Sequence, residues 1–270
     1  MSNEGTVRGF AQDELWRGVD LSGNTLLIGL GEGHLAEALA LQGQRSGTGY
    51  TIALGDRQAE LARIASSATG LPLGYVNGRL RALPFVDESI DLVVLNGSLR
   101  QVRPNALLPF FEQVWRVMVP GGAIRIADVL EPSEAPYNEA WRIYNGIIET
   151  VARSLGRSTA LYASLQTAAA AMASIGFDDL NVTLLPGLPL TDAWLEHTEE
   201  AVMAMASRLV DTALRDRVLT QDVRRLISAY RSGEQRAAER FVLRGTRVGN
   251  LALDMRASFT EEDLQVEDDD

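Results

Sequence analysis

The sequence predicts an α/β fold whose sheet is mostly parallel and covered by helices on both faces. Three observations carry this. Short apolar runs alternate with amphipathic segments of helical length through the first half of the chain. The first run stops on a glycine-rich loop. The second half is helical but carries two late β-like runs.

The elements follow in order. Asn24–Gly29 is a short apolar run ending in glycine, as a buried parallel strand should be. Residues 33–43 form a helix with Leu35 and Leu39 on one face, and Tyr50–Leu54 a second strand. Helix 57–69 carries Leu61, Ile64, Ala65 and Ala68 in phase and stops at Gly70. Gly74–Asn77 and Ile90–Leu95 are the third and fourth strands, followed by a helix over 105–118 with Leu107, Phe111, Val114 and Met118. Val119–Gly122 turns the chain into the strand Ala123–Val129. Tyr137, Trp141, Tyr144, Ile148, Val151 and Leu155 then keep a 3.6-residue spacing, and a helix over 158–175 ends at Gly176. Asn181–Leu185 and Phe241–Arg247 are the last strands, separated by helices over 192–214 and 221–232; Leu195, Val202 and Leu209 stripe the first of these. One domain over 1–253 is expected, with helical stretches over about 133–176 and about 189–238.

Composition removes several function classes. With no cysteine, disulfides, thiol nucleophiles and cysteine-bound metals are excluded. All 25 basic residues are arginine, so neither a P-loop lysine nor a Schiff base can form. His34 and His197 are the two histidines, too few for a multi-histidine metal site, and no metal is expected. The net charge of −11 is concentrated in residues 254–270, where eight acids face Arg256 alone. That segment reads as a solvated acidic tail, and the remainder has no basic stripe for nucleic acid. No apolar run reaches the roughly 20 residues of a membrane span. The first residues lack a basic stretch followed by an apolar one, so a cytoplasmic location is expected.

The loop reads Gly29-Leu-Gly31-Glu32-Gly33-His34, directly after a strand and opening a helix. Glycines allow close backbone approach and a helix start offers free N–H groups, so a ligand is favoured there. Two further runs decide which ligand. Residues 78–95, containing Leu83-Pro-Phe85 and Ile90-Asp-Leu-Val-Val, resemble the fourth-strand region of class I methyltransferases, usually G-D-A-x-x-L-P-F-x-D-x-S-F-D-x-V. Residues 114–128, containing Pro120-Gly-Gly122, resemble the same family's R-V-L-K-P-G-G-x-L-x-I-x-D. The three matches keep the family's order over residues 24–130. The resemblance implies the Rossmann-like class I methyltransferase fold, with residues 177–247 as its terminal antiparallel strand pair, a helical lid insertion over about 133–176 and a helical insertion over about 189–238; it also implies S-adenosylmethionine as cofactor and methyl transfer to a small-molecule acceptor, with quinone-biosynthesis enzymes among the similar proteins.

On this resemblance the cofactor-binding candidates are Gly29, Gly31, Glu32, Gly33, Gly55, Asp56, Arg79, Leu80 and Asn96. The family's acids are replaced at three places. Leu27 stands two residues before the first glycine, Gly55 stands at the ribose position with Asp56 one residue later, and Arg79 stands where an aspartate usually faces the adenine amino group. Arg100-Gln101 replaces a frequent histidine pair. Glu32 is placed to compensate for Leu27 by pairing with the cofactor's ammonium. His34, Tyr137 and Tyr144 are the catalytic candidates, set against ordinary roles as a helix-start residue and as amphipathic-helix packing. Met203 and Met205 are expected in the core or an interface, and Arg215, Arg217, Arg224 and Arg225 in salt bridges. The departures leave open a catalytically inactive relative that pairs with an active methyltransferase, or that uses Arg79 to bind another anionic ligand. A homo-oligomer also stays open.

Overall fold

The computed structural model describes residues 14–20, 22–29, 48–52, 73–76, 80–156 and 161–248. Gly31, Glu32, Gly33, His34, Gly55, Asp56 and Arg79 lie outside the described residues, as do the segments expected as helices 33–43 and 57–69 and the acidic tail.

Among the described residues, seven strands form one sheet in the order β3-β2-β1-β4-β5-β7-β6. β1 (Thr25–Ile28), β2 (Gly49–Ile52), β3 (Leu73–Val76), β4 (Ile90–Asn96) and β5 (Met118–Val129) are parallel, and β6 (Phe177–Leu185) and β7 (Arg240–Arg247) add an antiparallel pair. β1 and β4 are buried along nearly their whole length, which is why each reads as an unbroken apolar run rather than an alternation. The sheet reverses direction of growth between β1 and β4, where Thr25 faces Leu92 and Ile28 faces Leu95. In such a sheet a ligand binds beyond the carboxyl ends at this reversal.

On one face α1 (Leu107–Val117) and α3 (Leu165–Ile175) cover the sheet. Phe110, Phe111, Val114 and Val117 of α1 and Ala168 and Met172 of α3 are fully buried against Ile124, Ile126, Phe241 and Leu243. On the other face Leu15, Leu27, Leu92, Val94, Ala127, Leu185 and Val242 form a second core. Four further helical pieces pack mainly on one another: α2 (Glu139–Ser154), α4 (Asp192–Ala206), α5 (Thr212–Arg217) and α6 (Val223–Arg231).

Several expected boundaries are corrected. The helix expected over 158–175 begins at Leu165, where the Ser164 side chain accepts the Thr167 N–H; it ends at Gly176 as expected, with φ +105. It also packs on the sheet against α1, so among the described residues of the expected lid insertion over 133–176 α2 is the helix that stands clear of the sheet's core. The helix expected over 192–214 stops at Ala206, and Asp211 starts α5 by accepting the Leu214 N–H at 3.0 Å. The gap expected before 221 is instead a π-helical turn, Val218–Asp222, that joins α5 to α6. Leu209 keeps its buried place although it sits in the break. β6 starts four residues earlier than the expected Asn181, with a register shift between Asp178 and Asn181. β5 likewise starts at Met118, which pairs with Ile90 ahead of a second register shift. The expected turn over Val119–Gly122 is thus a bulge in a strand. Met203 is 53% exposed rather than core.

Candidate functional site

The lips of the crevice are the ends of β1 and β4. Gly29 leaves β1 at φ +71 and Gly97 leaves β4 at φ +67, conformations that glycine adopts without penalty. Ser98, fully buried, donates its hydroxyl to the Ile28 carbonyl at 2.7 Å, and the Gly97 N–H donates to Ala127 at 2.8 Å. These two bonds fix the exits of β1, β4 and β5 relative to one another. Asn96, half-buried at the last position of β4, adds a neutral carboxamide, and Leu80 packs against the core beneath. Leu27, at the position where an acid is usual, is 5% exposed and packs on the second face with Leu92 and Val94. It serves the core. An edge of glycine backbone and one carboxamide fits a ligand that is polar along its length, such as the ribose and amino-acid parts of S-adenosylmethionine.

Beside these lips stands a cluster that the sequence reading missed. The side chain of Asp128, at the end of β5, is fully buried. Its carboxylate accepts the N–H groups of Arg100 (3.1 Å) and Val129 (2.8 Å), and the Arg100 guanidinium lies 3.7 Å away. Arg100 and Asp128 thereby cap the short turn Leu99–Gln101 that follows β4. Burial raises the Asp128 carboxyl above the usual carboxylate range, more than Arg100 and the backbone N–H groups lower it. The sign then follows. A raised folded value gives a contribution to stability that is full below the ordinary pKa and is lost as pH rises through the raised one. Wild type is therefore expected to lose stability relative to Asp128→Asn as pH rises through that range. Urea unfolding of both proteins from pH 4 to 8 checks this; a pH-independent difference would contradict it.

Arg100 also donates to the Leu161 carbonyl at 3.5 Å, and the Ala163 N–H donates to Val129 at 3.2 Å. These bonds hold Tyr162 over the end of β5. Burial first, then Glu131 and Glu149, push the Tyr162 phenol up to about 12 against the pull of Arg142 and Arg100. Tyr162 is consequently a hydrogen-bond donor, not a base, at neutral pH. The signal for this group was its neighbour, the Arg100-Gln101 departure; nothing in the local pattern marks Tyr162 itself.

The aromatic candidates separate. Tyr137 sits not on α2 but in the turn Pro136–Asn138 before it, 47% exposed beside a small cleft of about 360 Å³ with Pro186 and Gly187. Tyr144 is on α2, where it packs edge-on to Trp141 (6.4 Å between ring centroids) and Trp194 (5.8 Å). Trp194 in turn stacks on Tyr230 at 6.2 Å, so the cluster clamps α2, α4 and α6 together. Burial raises the Tyr144 phenol. This is the packing role weighed against catalysis for Tyr144.

The entry to α2 is stitched down by two buried amides. Asn138 donates to the Arg236 and Ala237 carbonyls, both at 3.0 Å, and Gln235 accepts the Ala140 N–H at 3.0 Å. Against the expected salt bridges of the basic group on α5 and α6, Arg217 pairs with Asp222 at 3.6 Å, whereas Arg225 has no ion pair among the described residues.

Similarity to known proteins agrees with this geometry. The fold is the Rossmann-like fold of class I methyltransferases: over 88% of this chain and 98% of that one, the crystal structure of YcgJ from Bacillus subtilis superposes with a TM-score of 0.58 at 16% identity. Residues 26–126 match the family model described as a methyltransferase domain. A demethylmenaquinone methyltransferase of Roseiflexus castenholzii is 31% identical over 151 residues, 54% of this chain. The chain spans 60% of that relative's length. Geranyl diphosphate C-methyltransferase from Streptomyces coelicolor, solved with S-adenosyl-L-homocysteine, covers 87% of this chain and 73% of its own at 14% identity and a TM-score of 0.50.

Proposed function

We propose that the chain is a methyltransferase that uses S-adenosylmethionine to methylate a small-molecule acceptor in the cytoplasm. The observation that carries this is the overlap of two independent facts. The segment matching the methyltransferase family spans 26–126, and its β1 and β4 supply the glycine exits at the sheet's reversal point. The cofactor supplies a methyl group on a reactive sulfonium; the protein's part is to align the acceptor and keep out water. Gly29 and Gly97 let the backbone approach, Asn96 offers an amide, and the Trp141–Tyr144–Trp194 clamp fixes α2 against α4. A relative named as a demethylmenaquinone methyltransferase supports a planar, oxygen-bearing acceptor. Among the described residues no helix is long and apolar enough to cross a membrane.

Gly29, Gly31, Glu32, Gly33, Asp56 and Asn96 form the proposed cofactor set, with Asp56 as the ribose carboxylate displaced by one residue from Gly55. Calorimetric titration with S-adenosylhomocysteine is expected to give micromolar binding, and Asp56→Ala to weaken it by about tenfold or more, the value of a charged hydrogen bond. No binding at millimolar ligand would overturn the proposal. Unchanged affinity in Asp56→Ala would remove Asp56 from the set.

A further inference from the structure

A cleft of about 810 Å³ opens between α2 and the α5–α6 segment, and the described cofactor lips do not line it. We propose that it binds a small organic anion, a carboxylate on a planar apolar body.

Charge comes first. Arg142 of α2, Arg217 of α5 and Arg225 of α6 reach the cleft from three elements, facing Glu134, Glu139 and Asp222. Asp222 is taken by Arg217 at 3.6 Å. Glu139 lies in the first turn of α2, where the helix's own N–H groups favour a negative charge. Glu134 is left to face two arginines, and among the described residues neither Arg142 nor Arg225 has an ion pair. The three arginines and three acids balance in number, but the Arg142 and Arg225 guanidiniums are left without an ion pair among the described residues, in the fork geometry that suits a carboxylate.

Shape gives the second argument. Gly146 sits inside α2, where glycine is a poor choice for a helix. A Cβ there would meet nothing within 4 Å, so packing does not explain it. Gly146 instead faces the cleft, and its missing side chain leaves room above the apolar wall of Ile143 and Ile147. Opposite, the π-helical turn presents Gln221 and Asp222; such turns occur frequently at functional sites.

The test is calorimetric titration of the full chain with 2-naphthoate and with the neutral 2-naphthamide. The carboxylate should bind, and the amide about tenfold or more weakly, the value of a charged hydrogen bond. Arg225→Gln should weaken the carboxylate by about tenfold, and Gly146→Leu should abolish binding while leaving the fold intact, since leucine favours a helix more than glycine does. Equal binding of acid and amide, undiminished binding in Gly146→Leu, or no binding of the carboxylate at millimolar concentration would each overturn the proposal. A chain that binds S-adenosylhomocysteine but not 2-naphthoate refutes the cleft alone. The converse result refutes the cofactor reading and leaves the cleft standing.

Discussion

Replacing Phe111 by alanine is expected to cost about 3–5 kcal/mol, the usual range for removing a buried aromatic ring. The ring is fully buried at the centre of α1's inner face. It tilts against Phe110 at 5.0 Å and meets Phe177 edge-on at 6.4 Å between centroids, so it links α1 to the first residue of β6. The surrounding shell of Phe110, Val114 and Phe241 is itself fully buried and has little freedom to collapse into the space left. Urea unfolding should show a lower midpoint with an unchanged slope. A loss below about 1 kcal/mol would mean that the α1 face is far looser than its burial implies. Phe111→Leu, which keeps most of the volume, should recover part of the loss.

The second large effect is expected from Gly187→Ala, through crowding rather than a cavity. A Cβ on Gly187 would lie 1.9 Å from the Ala237 carbonyl oxygen and 2.9 Å from its carbon. Both atoms are backbone, so no side chain can turn aside. The segments must part, which stretches the bonds from Leu190 N–H to Gln235 (2.8 Å) and from Ala237 N–H to Leu188 (2.9 Å). Asn138 donates to that same Ala237 carbonyl, so the disturbance passes to the entry of α2. A loss of about 3 kcal/mol or more is expected, at the upper end for overpacking. Proteolysis should become faster at the junction of α2 with residues 186–190. Gly233→Ala is the control, because a Cβ there meets nothing within 4 Å. If the two variants melt together, the packing between residues 187 and 237 is not as tight as described.

The crevice and the cleft differ in how readable they were. β1 and β4 were legible because a strand buried on both faces must be an unbroken apolar run, and the glycines after them mark where the chain turns. Asn96 followed from its place at the end of such a run. The cluster of Asp128, Arg100 and Tyr162 was not legible, because Arg100 and Asp128 come from the ends of different strands and Leu161 precedes α3. The cleft was hidden for the same reason: Arg142 and Arg225 are 83 positions apart and meet through the packing of α2 on α6.

Charged groups inside the sheet make the same point. Arg125 and Arg244 stand opposite one another on β5 and β7, and burial, then their mutual repulsion, lowers the Arg125 pKa. Glu14 relieves Arg244 by accepting from it, across 230 positions of sequence. Arg247 is held 5.2 Å above the Trp115 ring and 2.7 Å from Glu88. In the sequence each of these arginines reads as an ordinary polar position in a strand.

What the sequence determined alone was periodic and local. Runs of apolar residues placed the strands, the stripe on residues 107–117 placed α1, and Gly176 ended α3 in the left-handed conformation that glycine favours. These depend on neighbours within one turn or one pleat, so the chain states them directly. The tertiary structure decided where helices break, which face a tyrosine presents and which charges meet. Ser207–Asp211 interrupts the expected long helix while Leu209 stays buried, because the packing of α2, α4 and the π-helical turn fixes that position. Partners 70 or 230 residues distant are chosen by the sheet's strand order, and burial then sets the strength of their interactions.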